Sequence, residues 1–217
     1  MKKGSILISL GIISLLAALA IFAYNQYEDY SAYNSSLEAL NEIADAKKEI
    51  EKVSVSLNSE ADNQFRIEDY KLYPEMVLAE VEIDGHYYVG TITIPSINVE
   101  LPVLSEFTYP NLKLSPCRFV GTPYQKDMII CAHNYKKHFG GLKNVKIGDT
   151  VIFTDMELNE FIYEVTEIET LYTRDLDLLL DGDWDLTVFT CTIGGKQRVV
   201  LRCTDITDMV NGIGTVE

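Results

Sequence analysis

The segment TVFTC, residues 187–191, ends an apolar run with a cysteine. A cysteine attacks a carbonyl carbon as its thiolate, and an unperturbed thiol with a pKa of about 8.5 is only a few per cent ionised at neutral pH. Such a nucleophile needs a histidine that exchanges protons and a cation or hydrogen-bond donor that stabilises charge on the carbonyl oxygen. Cys191 is the candidate nucleophile, and the other two groups must come from elsewhere in the chain.

His133 is the best placed of the three histidines. The segment MIICAHN, residues 128–134, is a near-continuous apolar strand that ends on it, which would fix the ring at the rim of a rigid sheet. His86, in DGHYY, is predicted in a turn that enters a strand, and His138, in YKKHFGG, in a mobile loop. For both of these residues the favoured interpretation is a surface histidine.

Arg198 is the candidate cation. The two glycines of TIGGK, residues 192–196, predict a turn after Cys191, and RVVLRC then runs back as the next strand. Strand alternation puts Val199, Leu201 and Cys203 on the core face and Arg198 and Arg202 on the other face. Taken singly, a buried inert cysteine and an arginine on an exposed strand are the commoner cases. The pattern becomes informative when the three residues are considered together.

The elements that must position these residues are short strands. Runs rich in Val, Ile, Thr, Tyr and Phe predict strands at 87–94, 99–104, 128–133, 151–154, 161–171, 186–192 and 198–206. Seven or eight strands without long helical intervals favour an all-β barrel or sandwich. A chain of 217 residues with 47% hydrophobic content accommodates one such core and an appendage.

The appendage begins with 24 residues without a charge, from Gly4 to Tyr27. As a helix this run is about 36 Å long, enough to cross a hydrocarbon core of about 30 Å. The preceding Lys2 and Lys3 predict a cytoplasmic N-terminus and export of everything after Tyr27. A cleaved signal peptide is the alternative, but the apolar run continues to Ala23 beyond the candidate cleavage site at 18–20, which favours an uncleaved anchor.

Residues 28–64 are polar and predicted to be helical. Ser35 followed by Glu38 fits a capping box. Apolar residues recur at helical spacing, at Leu37, Leu40, Ile43, Ala44, Ile50 and Val53. The favoured interpretation is a solvated spacer that holds the folded domain off the membrane, and a contact surface for partners is the alternative.

Charge and cysteine content exclude some functions. The part after Tyr27 holds 16 basic and 33 acidic residues, a formal charge of −17, which disfavours nucleic acid as a partner. The four cysteines include no C-x-x-C pair, so a disulfide scaffold or a structural zinc site is weakly supported. One free, reactive thiol is compatible with this count.

These segments together resemble the sortases, the membrane-anchored cysteine transpeptidases of Gram-positive bacteria. TVFTC is similar to the family's Thr-Leu-x-Thr-Cys signature, with Val188 in place of leucine. CAHN resembles the histidine segment, and Arg198 matches the arginine that opens the strand after the cysteine. The segments YVGTITIPSINVELPV, GDTVIF and FIYEV extend the similarity over residues 87–206 in the same order.

The resemblance implies a closed eight-stranded β-barrel with short helices in its loops and the site at one end, which agrees with the strand count. The expected division is a cytoplasmic start and transmembrane anchor at 1–27, a helical stalk at 28–70 and an extracellular catalytic barrel at 71–217. A short interval before the strand at 186 and the lack of a lid motif favour a class D-like or related housekeeping enzyme.

The resemblance also implies a reaction. Cys191 would cleave the Thr-Gly bond of a Leu-Pro-x-Thr-Gly-like sorting signal in a surface protein, forming a thioacyl-enzyme without a cofactor. An amine of a peptidoglycan precursor or of a pilin would then displace the enzyme from the thioacyl-enzyme and form a new amide. His133 would move protons, Arg198 would bind the substrate or the oxyanion with Arg202 as a minor rival, and Thr190 would contact substrate. A non-catalytic binding barrel and an exported protease that only hydrolyses are the alternatives.

Two further features remain open at this level. Acidic residues crowd the segment before the cysteine strand, at Asp175, Asp177, Asp181, Asp183 and Asp185. Some sortases bind calcium in this region, but the spacing is not that of an EF-hand, so a solvated acidic loop is favoured. Cys131 lies on the same side of its strand as His133, and a buried thiol is favoured there over a disulfide.

Overall fold

The computed structural model describes residues 2–58 and 69–212. Nine strands run in chain order: β1 Val81–Ile83, β2 His86–Ile94, β3 Val99–Leu104, β4 Cys117–Val120, β5 Met128–Ala132, β6 Thr150–Asp155, β7 Glu160–Tyr172, β8 Leu186–Cys191 and β9 Gln197–Asp205. The helices are α1 Lys2–Asn58, α2 Asp69–Leu72, α3 Tyr109–Leu112, α4 Leu176–Leu180 and α5 Thr207–Val210, with 3₁₀ turns at Pro95–Ile97 and Phe139–Asn144. Residues 59–68 of the predicted stalk and 213–217 of the predicted catalytic barrel lie outside the described residues.

Eight of the strands close into a barrel. Their order is β2-β3-β4-β5-β8-β9-β7-β6, and β6 pairs with β2 to complete the ring. The β3–β4 and β5–β8 pairs are parallel, and the other pairs are antiparallel. Closure removes the unpaired edges that an open sheet would expose. The predicted closed eight-stranded barrel with short loop helices is therefore confirmed.

Alternation divides the barrel wall into two packed faces. Inward side chains form the barrel core, among them Ile130 of β5, Val188 of β8 and Leu201 of β9. Outward side chains of the same strands form a second cluster, which includes Cys131 and Phe189. The predicted faces of β9 are correct, because Leu201 and Cys203 are buried inside the barrel.

Two strands were absent from the sequence-based prediction. β1, the one described strand outside the closed ring, pairs with the start of β2. The hairpin between them has Asp84 and Gly85 at its centre, and both residues have positive φ. An Asp-Gly dipeptide between alternating residues is the usual signal for this turn. The other missed strand, β4, has only four residues between Pro116 and Gly121, too short for a periodic pattern.

α1 runs without a break from Lys2 to Asn58, about 86 Å at 1.5 Å per residue. The predicted capping box at Ser35 is wrong as a helix start, because the helix passes through it. Its apolar segment has the length and hydropathy of a membrane span.

The part of α1 from Ala32 to Ile43 packs on the barrel, so the interpretation as a solvated spacer is wrong for this part. The buried stripe comprises Ala32, Ser36, Ala39 and Ile43, each at most 3% exposed. Three of these side chains are small, which lets the helix backbone approach the barrel wall closely, whereas Leu37 of the predicted stripe stays 40% exposed.

A buried polar contact joins α1 to the loop after β5. Ser36 Oγ donates to the Leu114 carbonyl at 2.7 Å and lies 3.2 Å from His138 Nε2. His138 is 0% exposed, so the interpretation as a surface histidine in a mobile loop is wrong. Burial lowers the pKa of His138 to about 4, and the neutral ring acts as a packing residue beneath α1.

Candidate active site

Strand register brings His133 and Cys191 to the same end of the barrel. The parallel strands β5 and β8 pair residue by residue, with Ala132 opposite Thr190, so His133 and Cys191 are the next residues along each strand. The Thr190 hydroxyl donates to the Ala132 carbonyl at 2.8 Å and ties the two strand ends together. Adjacent strands are about 4.8 Å apart, so the imidazole and the thiol leave neighbouring points of the backbone.

Arg198 completes the cluster from the opposite side of Cys191. The antiparallel pairing of β8 and β9 places Arg198 directly across from Cys191. The guanidinium lies over the Phe189 ring at 5.5 Å, and its Nη1 donates to the Thr173 carbonyl at 2.9 Å. Within the described part of the chain, its buried Nε has no hydrogen-bond partner. A buried donor without a partner beside a thiol is available for a carbonyl oxygen of a bound ligand.

His133 is half-buried, and its surroundings favour the neutral ring. Its imidazole packs against the Tyr135 ring at a centroid distance of 4.8 Å. Burial lowers the pKa of His133, the positive charge of Lys113 lowers it further, and the carboxylate of Glu28 opposes both. Glu28 belongs to α1 and forms an ion pair with Lys113 at 3.2 Å. The helix α1 thus contributes a charge to the candidate active site.

Substitutions in this ion pair are expected to move the pKa of His133 in opposite directions. Glu28→Gln removes the charge that favours imidazolium, so the pKa should fall; Lys113→Gln removes the opposing charge, so it should rise. NMR titration of the ring protons measures both. Asp45→Asn, in the exposed Asp45–Lys48 pair of α1, is the matched control and should leave the pKa in place. Shifts of the same sign from Glu28→Gln and Lys113→Gln would contradict the assignment.

The guanidinium of Arg202, the predicted minor rival of Arg198, is bonded to other groups of the protein. Its guanidinium is paired with Glu169 at 2.7 Å and donates to the carbonyls of Leu178 and Leu179 and to the Thr187 hydroxyl. It lies opposite Thr187, four residues along β9 from Arg198, or about 13 Å. Arg202 therefore clamps the segment around α4 to the barrel.

Thr190 is buried, and its hydroxyl is used between strands; its role in substrate binding stays a prediction. His86 begins β2 and lines a groove beside Ser35 and Glu38 of α1, away from the Cys191 cluster.

Cys191 is the least buried of the four free cysteines. Cys117, Cys131 and Cys203 are buried, and Cys117 lies opposite Cys131 in the β4–β5 pair. Burial raises the pKa of Cys117 and of Cys203 to about 12, and it also raises the pKa of Cys131. The predicted buried thiol at Cys131 is confirmed. These three thiols stay protonated and enclosed.

The acidic segment before β8 does not gather into a metal site. Asp185 accepts the backbone N–H of Asp205 at 2.7 Å, and Asp181 accepts the N–H of Gly182. Among residues 2–58 and 69–212, no group of three or more His, Cys, Asp or Glu side chains is arranged to hold a metal ion. The solvated acidic loop and the calcium site that the resemblance suggested both stay predictions.

Sequence reasoning missed the residues that surround the three candidates. Glu28, Lys113 and Tyr135 line one groove where α1 passes the loop before β4. Thr173 holds Arg198 through a main-chain carbonyl, which leaves no trace in a side-chain pattern. Lys113 and Glu28 are 85 residues apart in the chain, so no local spacing indicates their contact.

The fold and the site define a class: closed β-barrels that carry a cysteine, a histidine and an arginine together at one end. The family model described as the Sortase domain matches residues 92–206, which is more than half of the chain. The chain belongs to the sortase family.

Individual relatives agree with this assignment. Sortase A of Bacillus anthracis is 31% identical over 121 residues, covering 52% of this chain and 57% of the relative. Sortase A of Listeria monocytogenes is 28% identical over 151 residues, covering 63% and 65%. The chain thus matches less than two thirds of either relative's length. The crystal structure of Streptococcus pneumoniae sortase C has a TM-score of 0.54 at 19% identity, covers 78% of this chain and 96% of that one, and shows the shared fold.

Proposed function

We propose that this chain is a cysteine transpeptidase that cleaves a Leu-Pro-x-Thr-Gly-like sorting signal and transfers the surface protein to an amine. The observation that carries the proposal is strand register: Cys191 lies opposite Arg198, and the adjacent parallel strand leads directly into His133. A thiol, an imidazole and a guanidinium at one end of a rigid wall are the groups that acyl transfer through a thioester requires.

The chemistry proceeds in two displacements. Cys191 Sγ attacks the carbonyl carbon of the Thr-Gly bond, and the proton of the thiol passes through His133 to the departing amine as the C–N bond breaks. An incoming amine then attacks the thioester carbon, the C–S bond breaks, and the proton that the amine loses returns through His133 to the thiolate. The thioester retains the acyl bond energy, so neither ATP nor a cofactor is needed.

Arg198 stabilises the tetrahedral intermediate of each displacement. Its Nη1 is held by the Thr173 carbonyl, which fixes the guanidinium, and its Nε is free of other described partners. A permanently charged, planar donor suits a developing oxyanion or a substrate carbonyl.

The proposed partners and location follow from the same reaction. The acyl donors are surface proteins with a C-terminal sorting signal, and the acceptor is an amine of a peptidoglycan precursor or a pilin. The apolar segment of α1 anchors the chain in the cell membrane as a single span. Lys2 and Lys3 stay in the cytoplasm, and the barrel is extracellular.

The test is whether an added amine captures the acyl group. The full chain in detergent is incubated with a Leu-Pro-x-Thr-Gly peptide, with and without triglycine or a diaminopimelate-like amine, and products are identified by mass spectrometry. We expect ligation product that rises with amine as hydrolysis product falls, and an acyl adduct on the tryptic peptide 175–196, which contains Cys191. Hydrolysis that no amine diverts would favour the protease alternative, and the lack of any product would favour the binding barrel.

Arg198→Ala should lower kcat/KM for the peptide by about 10²- to 10³-fold, the effect of removing one oxyanion donor. Arg198→Lys should recover little, because an ammonium cannot reproduce the planar fork that Thr173 holds. Lys196→Ala, at an exposed cation two residues away, is the matched control and should retain turnover. Steady-state kinetics measure all three; wild-type kcat/KM in Arg198→Ala would remove Arg198 from the mechanism.

A further inference from the structure

The path of α1 relates the active site to the membrane. The uncharged run ends at Tyr27, and the next residue, Glu28, already pairs with Lys113 beside His133. Further along, Ser36 contacts the Leu114 carbonyl, and Lys47 Nζ lies 3.4 Å from the Thr154 carbonyl. The helix therefore meets the barrel first at its catalytic end and then runs along its wall.

Because α1 is a continuous helix, the distance between Glu28 and the bilayer boundary follows from the number of residues between them. Each residue advances 1.5 Å, so Glu28 lies within about 6 Å of a bilayer boundary anywhere between Tyr24 and Tyr27. We propose that the catalytic end of the barrel faces the membrane and contacts anionic lipid headgroups. This inference rests on the membrane anchor of the proposed function, and it adds an orientation that the reaction itself does not require.

Exposed side chains at this end suit a lipid interface. The catalytic-end surface is defined here by Lys136, Tyr172, Ile193 and Lys196. Ile193, at the tip of the β8–β9 turn, is 93% exposed, and Tyr172, opposite Gln197 at the end of β7, is 52% exposed. An apolar side chain at a loop tip and a tyrosine close to it are the groups that insert into a headgroup layer.

The charges of the same surface are complementary to anionic lipid, although the chain as a whole carries a formal charge of −15. Its cations are Lys136 and Lys196; Lys113 and Glu28 lie beside it next to His133, and Arg174 and Asp175 lie beside Tyr172. Glu28 and Asp175 are each within 4 Å of a cation, Lys113 and Arg174. Exposed Lys136 and Lys196 form no ion pair with another described residue, so their charge remains available to phosphate groups.

The orientation has a consequence for the substrate. A sorting signal presented at headgroup depth by a membrane-held protein meets Cys191 without a large displacement of the barrel, since Ile193 is two residues from the nucleophile. Signals on membrane-anchored proteins are then favoured over the same peptide free in solution through effective concentration.

The test measures depth at the two ends of the barrel. Trp184, the single tryptophan, is replaced by Phe, and one tryptophan is introduced by Ile193→Trp or, as the matched control at the opposite end, by Met209→Trp, a site 72% exposed. The full chain is reconstituted in vesicles of phosphatidylcholine and phosphatidylglycerol that contain spin-labelled lipid. We expect quenching at 193 to exceed quenching at 209 at least several-fold. Equal quenching, or stronger quenching at 209, overturns the proposal.

A charge variant and an activity assay distinguish failure of the proposed orientation from failure of the proposed function. Lys136→Gln with Lys196→Gln should weaken quenching at 193 in anionic vesicles, whereas Lys48→Gln with Lys52→Gln, at the far end of α1, should leave it unchanged. Turnover of a soluble sorting peptide is measured on the same samples. Turnover with equal quenching at both ends rejects the orientation alone; preferential quenching at 193 without turnover rejects the proposed function alone. Failure to float with the vesicles rejects the anchor and the orientation together.

Discussion

Cys191→Ala should abolish transpeptidation and hydrolysis together, with a loss of at least about 10⁴-fold, because no other described thiol can replace the nucleophile. Its melting temperature should stay close to that of the wild type, since Cys191 is only partly buried at a strand end. Peptide turnover by mass spectrometry and thermal unfolding by circular dichroism measure the two quantities. Retained turnover would reject Cys191 as the nucleophile.

Alkylation provides an independent readout of the same prediction. In the native protein iodoacetamide should modify Cys191 alone, because Cys117 and Cys203 are buried with pKa values raised to about 12 and Cys131 is also buried. The Cys191→Ala variant should take up no label until it is unfolded. Cys203→Ala is the matched control: it should be labelled once and remain active. Native labelling at Cys131 or Cys117 would contradict the burial of these thiols.

Arg202→Ala should destabilise the fold by about 3 kcal/mol, because it leaves a partly buried carboxylate and three other acceptors without their hydrogen-bond donor. Its guanidinium satisfies Glu169, two carbonyls and a hydroxyl, and it packs over the Trp184 ring at 5.9 Å. In a chain of this size that loss lowers the melting temperature by about 10 °C. Arg202→Lys should recover little of it, because one ammonium cannot bond all of these groups.

Arg198→Ala is the matched control for this substitution, on the same face of the same strand. It should lower turnover and leave the melting temperature within about 2 °C, because Arg198 has one hydrogen bond and an unused donor. Arg202→Ala should show the reverse, with near-normal turnover per folded molecule at low temperature. A wild-type melting temperature in Arg202→Ala would show that the α4 segment is held by other contacts.

Much of the barrel was predictable because its strands have local signals. Alternation in RVVLRC predicted which side chains enter the core, and the apolar run of MIICAHN predicted a strand that leads into His133. These patterns depend on neighbouring residues, and they placed Cys191, His133 and Arg198 at strand ends. That these ends meet follows from the parallel register of β5 and β8, which only the structure provides.

The docking of α1 was not predictable in the same way. Ser36 and His138 are 102 residues apart, and each occurs in a segment whose composition is typical of solvent-exposed structure. Three of the four residues in the buried stripe of α1 are Ala or Ser, because small side chains allow the helix to approach the barrel wall closely. The pattern of large apolar residues therefore included only Ile43 of this stripe, whereas Leu37 of the same pattern is 40% exposed.

The amino-acid sequence by itself determined seven of the nine described strands, the long apolar segment and the three reactive side chain types, since each depends on the order of adjacent residues. The sequence favoured Arg198 over Arg202, but only the tertiary structure shows why Arg202 is not available for chemistry. Arg198 and Arg202 are the same residue type on one face of β9, but α4 and Glu169 saturate the second guanidinium, whereas the first keeps a donor free beside Cys191. The distinction arises from what packs over each side chain, and those covering groups come from distant parts of the chain.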